Sequence, residues 1–272
     1  MPSLLSNRLA KRVLRPAFAL VEQRMERATS AFQTDLDALH HAVADLRRQS
    51  YGLGLLLDRA GRDGHRMPTA TQVDVLVREV RAVTGGDGER TRHDVTVAYR
   101  HLVALEALGA GGLPGTVSDV CGRLAAVPLL APPNGDVLEI GTLHGLFGAG
   151  LQRMLRRGGV EARLTVVDPL DGPPAREDVV RGNLALGGGA GAADAVRIAR
   201  GGFGDAAVRE RIADRRYGVL VVNGDHDLAA VRDLAAPGAV VVLGPDAGPR
   251  PPGLTGLGRI ADSVYCRAAT AS

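Results

Sequence analysis

The apolar positions near the start of the chain recur at helical spacing. Leu14, Phe18, Val21, Met25, Ala28 and Phe32 step by fours and threes, and Leu36, Leu39, Val43, Leu46, Ser50, Leu53 and Leu57 resume that rhythm after an extra step of four. Neither Gly nor Pro lies between Pro16 and Gly52, so nothing interrupts a helix there. The pattern predicts a long amphipathic helix over residues 1–62, with two heptad phases joined by a stutter. Such a stripe suits a coiled coil that holds two subunits together. It also suits a helix packed on its own domain or, given the cations of its first turns, one laid on an anionic membrane. A helical lid or cap region is expected over 63–133. Val73, Leu76, Val77 and Val80 mark one amphipathic helix there, and Val95, Tyr99, Leu102, Val103 and Leu105 mark a second, closed by Gly109–Gly112. Thr116 or Ser118 would cap a third before Pro128.

The period changes after the turn at 130–135. Short β-branched runs at 136–141, 163–168, 196–199, 217–223 and 239–243 alternate with helical stretches near 146–157, 176–186, 205–213 and 228–234. Buried strands alternating with helices predict an α/β domain over 134–272, a Rossmann-like, doubly wound, mostly parallel sheet carrying an N-terminal α-helical extension. Ligands of such sheets bind beyond the carboxyl ends of the strands, at the switch point. Polar and Gly-rich segments fall at those ends: Gly141–Gly145, Asp168, Asn223–His226 and Gly244–Asp246.

Composition narrows the function. The net charge is +3, and residues 1–50 carry all of it, so the α/β half is neutral and no electrostatic nucleic-acid surface is expected. Eight Phe and Tyr residues without Trp supply no stacking platform for single strands. Of the 33 basic residues all but Lys11 are Arg, a bias that reports genome composition rather than function. Cys121 and Cys266 have no metal-ligand spacing and suit a reducing compartment. With no secretory signal and no span of about 18 apolar residues, a cytoplasmic protein without a membrane span is expected.

The first strand-to-helix turn reads Glu139-Ile-Gly141-Thr-Leu-His-Gly145. Gly141 permits a sharp turn and Gly145 a close approach of ligand or helix. Leu143 stands where the dinucleotide fingerprint needs its second glycine, which disfavours a pyrophosphate cradle and an NAD-dependent dehydrogenase. Asp168, ending the second strand, is set to accept hydrogen bonds from a ribose diol. Together these residues favour a nucleoside-containing ligand.

The turn VLEIGTLHG followed by an acidic strand end resembles the class I S-adenosylmethionine-dependent methyltransferases. VVDPLDG (166–172), VNGDHDLAAVRDL (222–234) and PGAVVVLGPD (237–246) are similar to the small-molecule O-methyltransferases that act on natural-product sugars. The likeness spans about 136–246 and does not reach the N-terminal helices. It implies S-adenosylmethionine as cofactor, with Gly141, Thr142 and Gly145 lining its methionine and ribose portions, Glu139 beneath them and Asp168 on the ribose hydroxyls. It implies a small-molecule hydroxyl as acceptor, His226 as general base, and a Mg²⁺ site involving Asn223 and Asp246, with Asp225 as a third candidate ligand. The family's metal-binding aspartate is replaced by Asn223, and Pro245 precedes Asp246 where adjacent acids are usual, so two carboxylates of the family's metal site are missing here. The same departures suit a degenerate relative that binds cofactor or dimerises without catalysis. Ser263–Ala268 is expected to supply only one strand of the family's final antiparallel pair.

Overall fold

A computed structural model describes residues 24–27, 29, 30, 32–40, 43, 68–171 and 176–270. Two compact units divide the chain, 1–47 and 48–272. In the first, every described residue is helical and exposed, including Met25, Phe32, Leu36, Leu39 and Val43 of the heptad stripe. The remainder of the stripe lies outside the described residues.

The second unit opens with three helices, α1 (Ala70–Thr84), α2 (Gly88–Leu108) and α3 (Val117–Leu129). Thr69 begins α1 with a reciprocal capping box to Gln72, Asp87 caps α2, and Thr116 caps α3 by accepting from the Asp119 amide. Alternation follows: β1 (Asp136–Ile140), α4 (Leu146–Arg157), β2 (Arg163–Asp168), α5 (Glu177–Gly188), α6 (Ala190–Asp194), β3 (Arg197–Arg200), α7 (Ala206–Ile212), β4 (Tyr217–Val222), α8 (Leu228–Leu234) and β5 (Ala235–Leu243). Two further strands, β6 (Leu254–Ile260) and β7 (Ser263–Ala268), end the domain.

The seven strands form one sheet in the order β3-β2-β1-β4-β5-β7-β6. β1 to β5 pair in parallel, and β7 runs antiparallel to both β5 and β6. The sheet is thus Rossmann-like and mostly parallel, with its switch point between β1 and β4. Side chains alternate between two cores, as a pleated strand requires. Val137, Val166, Val221 and Val242 pack under α1–α5, so the helices of the 63–133 region share their core with the strands. Leu138, Ile140, Leu220 and Val241 pack with Val208, Ile212, Leu228 and Val231 of α7 and α8 on the other face.

One expectation is corrected. The final antiparallel pair is complete, because Leu254–Ile260 forms β6 beside β7. It is an edge strand with a register shift between Gly256 and Gly258 and little buried surface, so it lacks the alternating apolar pattern that marks the others.

Candidate active site

The site is built where β1, β2 and β4 end. Gly141 leaves β1 with its amide on the Val167 carbonyl (2.9 Å) and φ of +77°. A Cβ there would sit 3.0 Å from the Asn223 carbonyl oxygen, so this turn is available to glycine alone. Gly145, also at φ +77°, opens α4, and a Cβ would stand 3.0 Å from the Val180 carbonyl.

Asp168 organises the turn between these glycines. Its Oδ2 accepts from the amides of Thr142 (2.9 Å) and Leu143 (3.1 Å), and its Oδ1 accepts from Leu170 (3.1 Å). Leu143 and Leu170 are both held in the left-handed region, at φ of +56° and +47°. A carboxylate offers about four acceptor positions, so three amides leave room for one further donor.

Glu139 has the opposite surroundings. It is 1% exposed on the α4 side of β1, and neither carboxylate oxygen has a hydrogen-bond partner. Burial pushes its carboxyl up to about 8, opposed by the Thr142 hydroxyl and the charge of Arg123. That hydroxyl is close enough to act on the carboxyl but makes no hydrogen bond of ordinary geometry. Helix α4 lies so near that a Cβ on Gly148 would come within 2.7 Å of Glu139 Oε2.

Asn223 closes the other side of the turn. Its Nδ2 donates to the Gly141 carbonyl (2.8 Å), and its Oδ1 accepts from Arg123 Nη1 (2.7 Å). Arg123 comes from α3, a hundred residues away. It ion-pairs with Asp119 one turn earlier and stacks over the Phe147 ring at 5.3 Å. Both charged side chains are almost fully buried.

His226 Nε2 lies 3.0 Å from the Asn223 carbonyl. A carbonyl only accepts, so Nε2 carries the proton and Nδ1 is the nitrogen left to take one. The ring rests edge-on against Phe203. His226 does not cap α8, because Asp227 does so with its own carboxylate, accepting from Ala229 and Ala230. His144 Nδ1 donates to the Gly112 carbonyl (3.1 Å), a packing role, and Gly111 admits its ring, since a Cβ would fall 2.5 Å from it.

Asp246 is exposed beyond β5. Among the described residues no three His, Cys, Asp or Glu side chains cluster as a metal site. With the Asn223 oxygen already on a guanidinium, the donor set there does not fit a divalent cation.

Three contributors were not identified in the sequence. Asn183 of α5 bridges the turn to the α2–α3 loop, donating to the carbonyls of His144 (2.7 Å) and Ala110 (2.8 Å) and accepting from the Ala110 amide. Asp119 and Arg123 are the others. Their one legible signal is a charge pair at i,i+4 in the otherwise apolar VSDVCGRLAAVPL.

No protein-family model matches the chain, and no curated protein matches it significantly. Solved structures similar to it include cofactor-bound Rv0187 from MTB, at 24% identity over 65% of this chain and 73% of that one, with a TM-score of 0.35. Another is the O-methyltransferase TomG from Streptomyces achromogenes, involved in tomaymycin synthesis and solved with S-adenosylmethionine, at 17% identity, 65% and 90% coverage and a TM-score of 0.41. A third is the N-methyltransferase NodS from Bradyrhizobium japonicum WM9, at 18% identity, 54% and 93% coverage and a TM-score of 0.34.

Proposed function

We propose that the chain is an S-adenosylmethionine-dependent methyltransferase acting on a hydroxyl of a small molecule, such as a sugar of a natural product. One observation carries the reading. A glycine turn at the switch point is folded across a strand-end aspartate, with one acceptor position of that aspartate left for a ribose hydroxyl. The buried, unpartnered oxygens of Glu139 support it, since the cofactor's ammonium would supply the donors they lack.

The cofactor brings an already activated methyl group, so the chain has to align an acceptor oxygen and remove its proton. Gly141, Thr142 and Gly145 would line the cofactor, and His226 Nδ1 would take the proton while Nε2 stays tied to Asn223. A second copy is proposed to join through the N-terminal helix, whose exposed Met25, Phe32, Leu36, Leu39 and Val43 support a paired seam in a cytoplasmic enzyme. Among the described residues no helix is long and apolar enough to cross a membrane. A catalytically silent relative is the second reading, favoured by the amide at Asn223.

Labelled S-adenosylmethionine incubated with a panel of hydroxylated sugars and phenols tests the first reading. Transfer to an acceptor oxygen, reduced about 100-fold or more in His226→Ala, is expected for a general base. Cofactor binding without transfer to any acceptor would favour the silent relative, and transfer unaffected by His226→Ala would remove the base.

A further inference from the structure

The Asn223 amide is used at both ends, and its two partners dictate which end faces which. A guanidinium has only donors, so Arg123 must meet the acceptor Oδ1; the Gly141 carbonyl only accepts, so it must meet Nδ2. An aspartate at this position would satisfy Arg123 but would set a carboxylate oxygen against the Gly141 carbonyl at 2.8 Å, the present nitrogen-to-oxygen separation. Only an amide joins these two neighbours. Arg123 is committed in turn. It is 5% exposed, ion-paired to Asp119 at 1% exposure, and held over Phe147. The pair is neutral overall, and the guanidinium occupies the Asn223 side-chain oxygen that a metal at the end of β4 would share.

We infer that Arg123 is the built-in cation of this site. It takes the place of a divalent metal and, through Asn223, positions the Gly141 turn that receives the cofactor. The site then needs no metal and binds none. The asparagine is a required connector rather than a weakened metal ligand. Arg123 acts here as a positioning residue, since its contacts are with Asp119, Asn223 and Phe147.

The two readings of Asn223 give opposite signs for one substitution, and part of the test is independent of the methyltransferase reading. Full-length wild type, Asn223→Asp and Asn223→Ala would be titrated with Mn²⁺, following the free ion by electron paramagnetic resonance. S-adenosylmethionine affinity would be measured by calorimetry with and without EDTA. The wild type is expected to leave Mn²⁺ free up to millimolar concentration and to bind S-adenosylmethionine equally in EDTA. Asn223→Asp should weaken that affinity at least about tenfold and still bind no Mn²⁺. Asn223→Ala, which removes both bonds without adding a charge, should weaken it too, and serves alone if the aspartate variant does not fold. Arg123→Lys, which keeps the charge but not the forked donors, should lie between wild type and Asn223→Ala. Stoichiometric Mn²⁺ binding by wild type or Asn223→Asp, or unchanged S-adenosylmethionine affinity in the Asn223 variants, would overturn the inference. A wild type with no S-adenosylmethionine affinity at all would count against the proposed function instead, and the Mn²⁺ titration would still decide the metal claim.

Discussion

Two carboxylates lie near the carboxyl ends of adjacent parallel strands of this sheet, and the chain treats them in opposite ways. Asp168 ends β2 and gathers three backbone amides. Glu139, one residue before the end of β1, is buried more deeply and receives none. Asp168 is therefore solvated by the turn it organises, and removing it would strand amides that were folded around it. Glu139 carries an unmet demand for donors, which the folded chain answers by holding the proton. A buried acid serves as scaffold in one case and as a waiting contact in the other, and their hydrogen bonds rather than their burial tell them apart.

Three measurements press on that contrast. The largest stability loss is expected from Asp168→Ala, which leaves the amides of Thr142, Leu143 and Leu170 unpaired and removes the support for two left-handed leucines. Urea denaturation should show about 3 kcal/mol or more lost. A loss under about 1 kcal/mol would mean that the turn does not depend on the aspartate.

Glu139→Gln is next. A carboxyl raised to about 8 in the folded chain, from an ordinary 4.5, holds a proton that the unfolded chain has released. Its stabilising contribution is complete below pH 4.5 and is lost as pH rises through 8. Between pH 4.5 and 7 this amounts to roughly 3 kcal/mol. Glutamine should flatten that decline in a series of denaturation curves across pH, whereas an unchanged slope would show that Glu139 has donors in solution.

Gly148→Ala is expected to cost about 1–3 kcal/mol, read as a lowered Tm, because its methyl would press on Glu139 and Leu164. A Tm equal to wild type would mean that α4 yields and that Glu139 is less confined than its burial implies.

Much of this architecture was legible in the sequence because parallel strands buried on both faces write continuous apolar runs. β1, β2, β4 and β5 appear as DVLEI, RLTVVD, YGVLVV and AVVVL. β6 leaves no such run because a bulged edge strand with Gly256 and Gly258 buries almost nothing. At the site, the glycines of the turn and Asp168 are visible since strand ends and helix starts impose their spacing. Arg123, Asp119 and Asn183 were not, because they reach the turn from helices whose register no local pattern encodes. Their effect is large: Asn223 read alone is a carboxylate lost, and read with Arg123 it is an amide that both neighbours require.

The Gly141–Gly145 turn and Asp168 are proposed to form a nucleoside crevice. Calorimetric titration of full-length protein with S-adenosylhomocysteine, run beside Asp168→Ala, tests it most directly. Saturable one-to-one binding by wild type, weakened at least about 100-fold in Asp168→Ala, is expected. No binding by wild type, or equal binding by the two proteins, would contradict it.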